Sequence, residues 1–310
     1  MRTIRDYQFV APDDRSASAA IGNFDGVHLG HQSVIDIARS AEPAAPLGVV
    51  TFEPHPRVYF APSSPPFRLM SREARASRLE KLGVERLYEL NFNAALAALA
   101  PEEFAQRVIA DGFGLRHVIV GADFCFGKGR AGTATDLLAF GQTMGFGVTI
   151  APLIAQSDKT ISSTAIRKAL SVGDPRLAAS MLGHWHRIEG PVIGGEQRGR
   201  ELGYPTANMS IDGLHPPAFG VYAVLVDVLD GPHTGSYQGV ASMGVRPMFG
   251  ENRPNLETFI FDFQGDIYGA QLSVGLVEHL RPEETFDSLD ALITQMDADS
   301  ATARQILSAL

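Results

Sequence analysis

The chain carries one cysteine, Cys125, in 310 residues, so no intrachain disulfide and no multi-cysteine zinc site can form. That usage suits a reducing cytosol and predicts a cytoplasmic protein. Long apolar runs are missing as well: none approaches the ~20 residues that span a bilayer, so no membrane association is expected. Residues Met1 to Asp14 are mixed and charged, without the apolar core of a secretion signal. Basic residues are the minority, 26 Lys and Arg against 35 Asp and Glu, for a formal net charge of −9. Such a surface repels a long polyanion and argues against nucleic acid as a partner. Small anions are not excluded, because backbone dipoles bind phosphate against an adverse net charge. Repeats and low-complexity segments are also lacking.

What is present suits a globular chain: 45% hydrophobic and 20% charged residues, enough to build real cores over a length that suits two domains. Short apolar runs at Ala17–Ile21, Leu47–Phe52, Arg86–Asn91, His117–Gly121 and Val148–Leu153 read as strands. Helical patterns lie between them at His31–Ser40, Arg72–Leu82, Pro101–Ala110 and Thr133–Met144. Near-continuous apolar strands alternating with helices predict a parallel, doubly wound α/β sheet. Two more helices are expected at Ser163–Ser171 and Asp174–Leu182, the second with Asp174 as N-cap, Pro175 in its first turn and Gly183 as its stop. Beyond Gly183 the chain turns β-branched and aromatic at Phe219–Leu229 and Leu256–Phe263. Gln264-Gly265 is expected to close a hairpin onto Tyr268–Glu278, and an amphipathic helix to end the chain at Ser288–Leu307. The expected domains are residues 1–184, α/β, and 185–310, a small antiparallel β-barrel with a C-terminal helix.

The densest motif is Gly22-Asn23-Phe24-Asp25-Gly26-Val27-His28-Leu29-Gly30-His31, running from the first strand into the first helix. Its glycines permit tight turns and close backbone approach, and the helix start offers unpaired N–H groups and a positive dipole end. His28 and His31 flank Gly30 and could converge on a phosphate, donating hydrogen bonds as charge develops on it. No Gly-Lys-Ser/Thr follows, so this is not a Walker-type loop, nor is it a dinucleotide fingerprint. The His-x-x-His spacing alone favours a metal-binding pair or two surface histidines; the whole decapeptide at a strand–helix junction favours phosphate chemistry.

In the second half, Gly194 to Asn208 is rich in glycine and arginine, and Arg198, Gly199 and Arg200 suit a loop over phosphates. Thr206 and Asn208, two residues apart in an extended segment, put hard oxygens on one face where Mg²⁺ or another divalent cation would be at home. A polar β-turn is the competing reading. Along Leu256–Phe263, alternation puts Glu257 on one face with Phe259, Phe261 and Phe263, an unusual setting for a carboxylate unless it is paired or functional.

The string Ile21–Gln32 resembles the His-x-Gly-His signature of nucleotidyltransferases, in the form found in the FMN adenylyltransferase domain of prokaryotic bifunctional FAD synthetases. Thr51–Arg57, Val120–Gly127 and Ile161–Arg167 resemble the same family in order, so the likeness runs over nearly the whole chain. It implies adenylyl transfer from ATP to FMN, giving FAD and pyrophosphate without a covalent enzyme intermediate. His28 and His31 would stabilise the transition state, and Gly22, Asn23, Phe24, Asp25 and Gly30 would line the nucleotide site. Ser163, Thr164 and Arg167 would hold the β- and γ-phosphates, although Ser-Ser-Thr is also a natural helix N-cap. Asp123, Phe124 and Phe126 match the flavin-side segment; core packing competes for both rings. The segments Gly194–Asn208 and Leu256–Phe263 resemble the riboflavin kinase domain. There Thr206 and Asn208 would bind Mg²⁺ and phosphates, and Glu257 would act as general base on riboflavin, with ATP as co-substrate. Val245 and Met248 stand where such domains usually carry threonine, and Gly194 and Phe259 where histidine is frequent. The resemblance therefore predicts a bifunctional enzyme with riboflavin, FMN and ATP as small-molecule partners; an oligomer is compatible with it. The alternatives are an adenylyltransferase with a weak or inactive kinase half, or a flavin-binding regulatory protein without turnover.

Overall fold

A computed structural model describes residues 1–152, 155–156, 159–194, 203–248 and 251–310, of which 155–156, 159–160, 246–248 and 251–253 are described by backbone alone. Contacts divide the chain into two compact units, Met1–Ser64 with Arg72–Ile161, and Pro65–Ser71 with Ser162–Leu310.

The first unit holds a six-stranded, all-parallel sheet. Its strands are β1 (Arg2–Ile4), β2 (Ser18–Ile21), β3 (Leu47–Glu53), β4 (Arg86–Asn91), β5 (His117–Gly121) and β6 (Gly147–Ala151), in the order β1-β4-β3-β2-β5-β6. All four residues of β2 are buried, as expected of a strand covered on both faces. Helix α1 (Leu29–Ala41) follows β2, α2 (Arg72–Lys81) precedes β4, and α3 (Pro101–Phe104) runs on as a wider π-helical stretch, Ala105–Phe113. Helix α4 (Ala134–Met144) begins with a capping box, in which Thr133 and Asp136 each satisfy the other's backbone N–H. From β2 the chain winds outward through β3 to β4, then returns to the other side of β2 as β5. The gap between the carboxyl ends of β2 and β5 is thus the topological switch point, where open α/β sheets bind ligands. The segments 22–31, 53–57 and 121–126 all leave the sheet at that end.

The second unit opens with helices α5 (Ser163–Ser171) and α6 (Pro175–Leu182), which pack within it. Asp174 caps α6 by accepting from Leu177 N at 2.9 Å, and Gly183, with φ 74°, ends it in the left-handed turn that only glycine adopts freely. Strands β7 (His186–Pro191), β8 (Thr206–Ser210), β9 (Gly220–Val228), β10 (Gly235–Met248), β11 (Glu251–Ile260) and β12 (Gln271–Arg281) follow, in the antiparallel order β7-β12-β9-β10-β11-β8. The sheet curls into a half-barrel whose two edges touch where Ile193 N donates to Asn208 O at 2.9 Å. Ile188, Met209, Tyr222, Val224, Met243, Leu256 and Val274 fill its interior. Helix α7 (Leu289–Leu307), capped by Ser288, lies on the outer face.

Two expectations are corrected and one strand is added. Gln264-Gly265 closes no hairpin: β12 pairs with β7 and β9, whereas β11 pairs with β8 and β10. The intervening strand β10, fourteen residues long, was absent from the sequence reading. Phe263 does not share the face of Glu257, because β11 ends at Ile260 and Asp262 turns the chain with φ 56°. Phe259 and Phe261 pack under α7, but Phe263 packs against the barrel interior with Tyr237.

Two candidate active sites

At the switch point the chain leaves β2 through a loop in which Phe24, Gly26 and Val27 all have positive φ, so three residues turn it sharply into α1. Phe24, Asp25 and Val27 are buried, as is His28 at 7% exposure, whereas Asn23 is exposed. His28 is the N-cap of α1: its Nδ1 accepts from His31 N at 3.3 Å. In the neutral ring the proton then sits on Nε2, which becomes the free donor. The His28 and His31 rings stack with centroids 3.7 Å apart and planes 14° from parallel, and Phe24 flanks His31 at 4.9 Å. Gly30 leaves room for this pair, since a Cβ there would lie 3.1 Å from the His28 ring. Burial lowers the His28 pKa to about 4, and burial with the adjacent His28 pushes His31 well below the ordinary range. Both are therefore neutral at pH 7, stacked at the positive end of a thirteen-residue helix. The His31 Nδ1 is buried with no hydrogen-bond partner among the described residues.

Beneath this loop lies an ionic cluster that sequence reading missed. Arg75, 1% exposed, donates to Glu53 Oε2 at 3.0 Å, to Glu89 Oε2 at 3.2 Å and to the Asn23 carbonyl at 3.5 Å. Thr51 Oγ1 donates to the same carbonyl at 3.2 Å. Burial pushes the Glu89 carboxyl upward, but Arg72, Arg5 and Arg75 outweigh it and hold it below the usual range. The carboxyl ends of β3 and β4 are thereby tied to the loop.

Beyond β5, Asp123 is exposed, Phe124 half-buried and Phe126 buried in the core against Phe104. The two phenylalanine rings stack 5.5 Å apart. Cys125 is partly exposed, its thiol 3.6 Å from the Asp123 carbonyl. Ser163, Thr164 and Arg167 belong to the second unit. There the cap of α5 is Ser162, whose Oγ accepts from Ala165 N, so Ser163 and Thr164 occupy the first helical turn. Arg167 donates to Thr164 Oγ1 and to the Phe67 carbonyl, both at 3.3 Å.

In the half-barrel, Thr206 and Asn208 share a face of β8, as their spacing requires. Their register partners on β11 are Phe259 and Glu257, so Asn208 and Glu257 stand side by side on the outer face. Asn208 Nδ2 donates to the Thr206 carbonyl at 3.4 Å, which leaves its Oδ1 able to accept elsewhere. Asn255, which sequence reading passed over, is 2% exposed and donates to Glu257 Oε1 at 3.3 Å. A cavity of about 340 Å³ adjoins this strand, lined by Thr206, Asn208, Thr258, Phe263, Asp266 and Tyr268 among others. Arg198, Gly199 and Arg200 lie outside the described residues.

Comparison with known proteins decides what the two arrangements belong to. A family model described as FAD synthetase matches residues 10–165, and one described as riboflavin kinase matches residues 182–307. The bifunctional riboflavin kinase/FMN adenylyltransferase of Pseudomonas fluorescens is 42% identical over 312 residues, covering 99% of this chain and 98% of its own. The chain belongs to the bifunctional riboflavin kinase/FMN adenylyltransferase family. The Bacillus subtilis member is 35% identical over 322 residues, 100% of this chain and 99% of its own. A crystal structure described as a macrolide-efflux protein from Streptococcus pneumoniae superposes with a TM-score of 0.84 at 33% identity, over 98% of each chain. Among the described residues no helix is long and apolar enough to cross a membrane. Within the family frame, the FAD synthetase match takes in β2 to β6 with the stacked histidines, and the riboflavin kinase match takes in β7 to α7 with Thr206, Asn208 and Glu257.

Proposed function

We propose that the chain carries out both reactions of its family at separate sites, residues 1–184 forming FAD from FMN and residues 185–310 forming FMN from riboflavin, each with ATP as co-substrate. The observation that carries the first assignment is the stacked pair of neutral imidazoles at the start of α1, beside the sheet's switch point. A phosphate oxygen of FMN bonds to the α-phosphorus of ATP as the bond from that phosphorus to the β-phosphate oxygen breaks, releasing pyrophosphate. His28 Nε2–H and His31 donate to the oxygens on which charge accumulates, and the N–H groups at the start of α1 add to them. Gly22, Asn23, Phe24, Asp25 and Gly30 shape that nucleotide site. Ser163, Thr164 and Arg167 are assigned to phosphate binding on their motif alone. Phe124 is assigned to the flavin ring, with Asp123 beside it and Phe126 packed behind.

In the second reaction Glu257 takes the proton of the ribityl hydroxyl, whose oxygen bonds to the γ-phosphorus as ADP leaves. Two uncharged oxygens, Thr206 Oγ1 and Asn208 Oδ1, are hard donors of the kind that would hold a divalent cation at this site. Among the described residues no group of three His, Cys, Asp or Glu could hold a metal by itself. When bound, Mg²⁺ would neutralise charge on the transferred phosphoryl group. Arg198, Gly199 and Arg200 are assigned to the nucleotide on sequence alone. The single cysteine supports a cytoplasmic location, and the net charge of −9 supports small molecules rather than nucleic acid as partners.

Product chromatography tests the whole reading. The full-length protein is incubated with ATP and Mg²⁺ and either riboflavin or FMN. FMN followed by FAD is expected from riboflavin, and FAD alone from FMN. No FMN from riboflavin would remove the kinase assignment, and no FAD from FMN the adenylyl-transfer assignment.

A further inference from the structure

Helix α7 contributes no residue to either proposed site, yet it is fastened to the kinase sheet at several points. Asp299, 6% exposed, accepts from Arg281 Nε and Nη2 at 3.0 and 2.8 Å and from Gln295 at 2.9 Å. Near the helix end, Arg304 makes two hydrogen bonds to Asp262, at 2.7 and 2.8 Å, and lies 4.2 Å over the Phe261 ring. Ala303 and Leu307 pack against Ala223, Phe261 and Val277. The helix is a rigid ledge rather than a loose tail.

From that ledge Asp297 accepts a hydrogen bond from the Tyr204 hydroxyl. The Tyr204 ring packs on Phe259 with centroids 4.8 Å apart, and Phe259 is the register partner of Thr206. Tyr204 is thus held at both ends, by its ring on the sheet and by its hydroxyl on the helix. Only Pro205, with its fixed φ, separates it from Thr206. Asp297 is exposed, and an exposed polar pair adds little to stability. The bond does, however, lie two residues ahead of Thr206, where the chain enters β8.

We propose that Tyr204 is a positioning residue for the kinase reaction: anchored to Asp297 of the C-terminal helix, it sets the entry of β8 so that Thr206 meets the phosphates of the nucleotide. This rests on the reading of Thr206 and Asn208 as the nucleotide- and metal-binding segment. Burial, and then the Asp297 bond, raise the phenol to about 12, so it remains a donor across the working range of pH.

The test is a double-mutant cycle in the full-length protein, Tyr204→Phe, Asp297→Ala and the pair, with riboflavin phosphorylation followed at varied MgATP and then at varied riboflavin. Each single variant should raise KM for MgATP about threefold to tenfold, the factor an ordinary hydrogen bond confers. The double variant should do no worse than either single one. KM for riboflavin and FAD formation from FMN should stay at wild-type values. Asp297→Asn, still an acceptor, should keep most of the wild-type KM. A wild-type KM for MgATP in Tyr204→Phe, additive losses, or an equal rise in KM for riboflavin would overturn the proposal. Thr206→Ala run alongside separates the two levels. If it too leaves KM for MgATP unchanged, the assignment of the segment fails. If it raises KM while Tyr204→Phe does not, only the positioning role fails.

Discussion

Acidification gives the sharpest test of the stacked histidines. An imidazole of ordinary pKa 6.5 titrates at about 4 in the folded His28, because burial penalises its charged form. The unfolded chain therefore binds this proton more readily than the native one. The contribution to stability is complete above pH 6.5 and is lost as pH falls from 6.5 to 4. The gap between those values corresponds to about 3 kcal/mol, with little discount for solvent because His28 is only 7% exposed. Protonation also takes away the Nδ1 lone pair that caps His31 N. His28→Asn isolates the effect, since asparagine remains a good N-cap acceptor but does not titrate. Urea unfolding followed by circular dichroism, at steps from pH 7.5 to 4, should show the wild type losing about 3 kcal/mol more than the variant. Carboxylates common to both proteins cancel in the difference, and the part of the His31 shift that His28 causes adds to it in the same direction. The ring-proton shift of His28 in isotope-labelled protein should titrate far below 6.5, and ATP should move that midpoint upward. A flat difference between the proteins, or a His28 ring titrating near 6.5, would refute the stacked, desolvated pair.

Other outcomes follow from the two sites. His28→Ala and His31→Ala should each slow FAD formation from FMN by about 10²- to 10³-fold, the cost of one transition-state donor, and leave FMN formation unchanged; chromatography with each starting flavin measures both. Glu257→Gln should do the reverse, lowering FMN formation by about 10²- to 10⁴-fold. Equal loss of both activities in all three variants would contradict separate sites. Arg75→Met removes one of the three arginines that hold Glu89 and its bond to Glu53, and urea titration should show a loss of about 1–3 kcal/mol.

The elements most legible in the sequence were those whose signals are local. Strands Arg86–Asn91 and His117–Gly121 and helix Ser163–Ser171 lie where their apolar runs and flanking stops put them. Strand β10 was illegible because its inward positions are weakly apolar. Gly239 sits where a Cβ would come within 2.5 Å of the Phe259 carbonyl, so the position that would have signalled a strand cannot carry a side chain. Gln264-Gly265 has the chemistry of a turn, but which strand pairs with which is set by distant partners. The same distinction runs through the sites. His28 with His31 and Thr206 with Asn208 are neighbours along the chain, and their spacing advertised them. Arg75 with Glu89 and Glu53, 14 and 22 residues apart, and Tyr204 with Asp297, 93 apart, are joined only by the fold.

The segment Pro65–Ser71 has a practical consequence for anyone wishing to study one catalyst without the other. Although it sits early in the chain, it belongs with the later half, where the Phe67 carbonyl receives Arg167 and the Arg68 carbonyl receives His215 N at 2.8 Å. A single scission near residue 162 would strip those acceptors from the carboxyl-terminal fragment. A truncated kinase would thus lack part of its own scaffold, and inactivating point substitutions in the intact polypeptide are the cleaner way to silence either half.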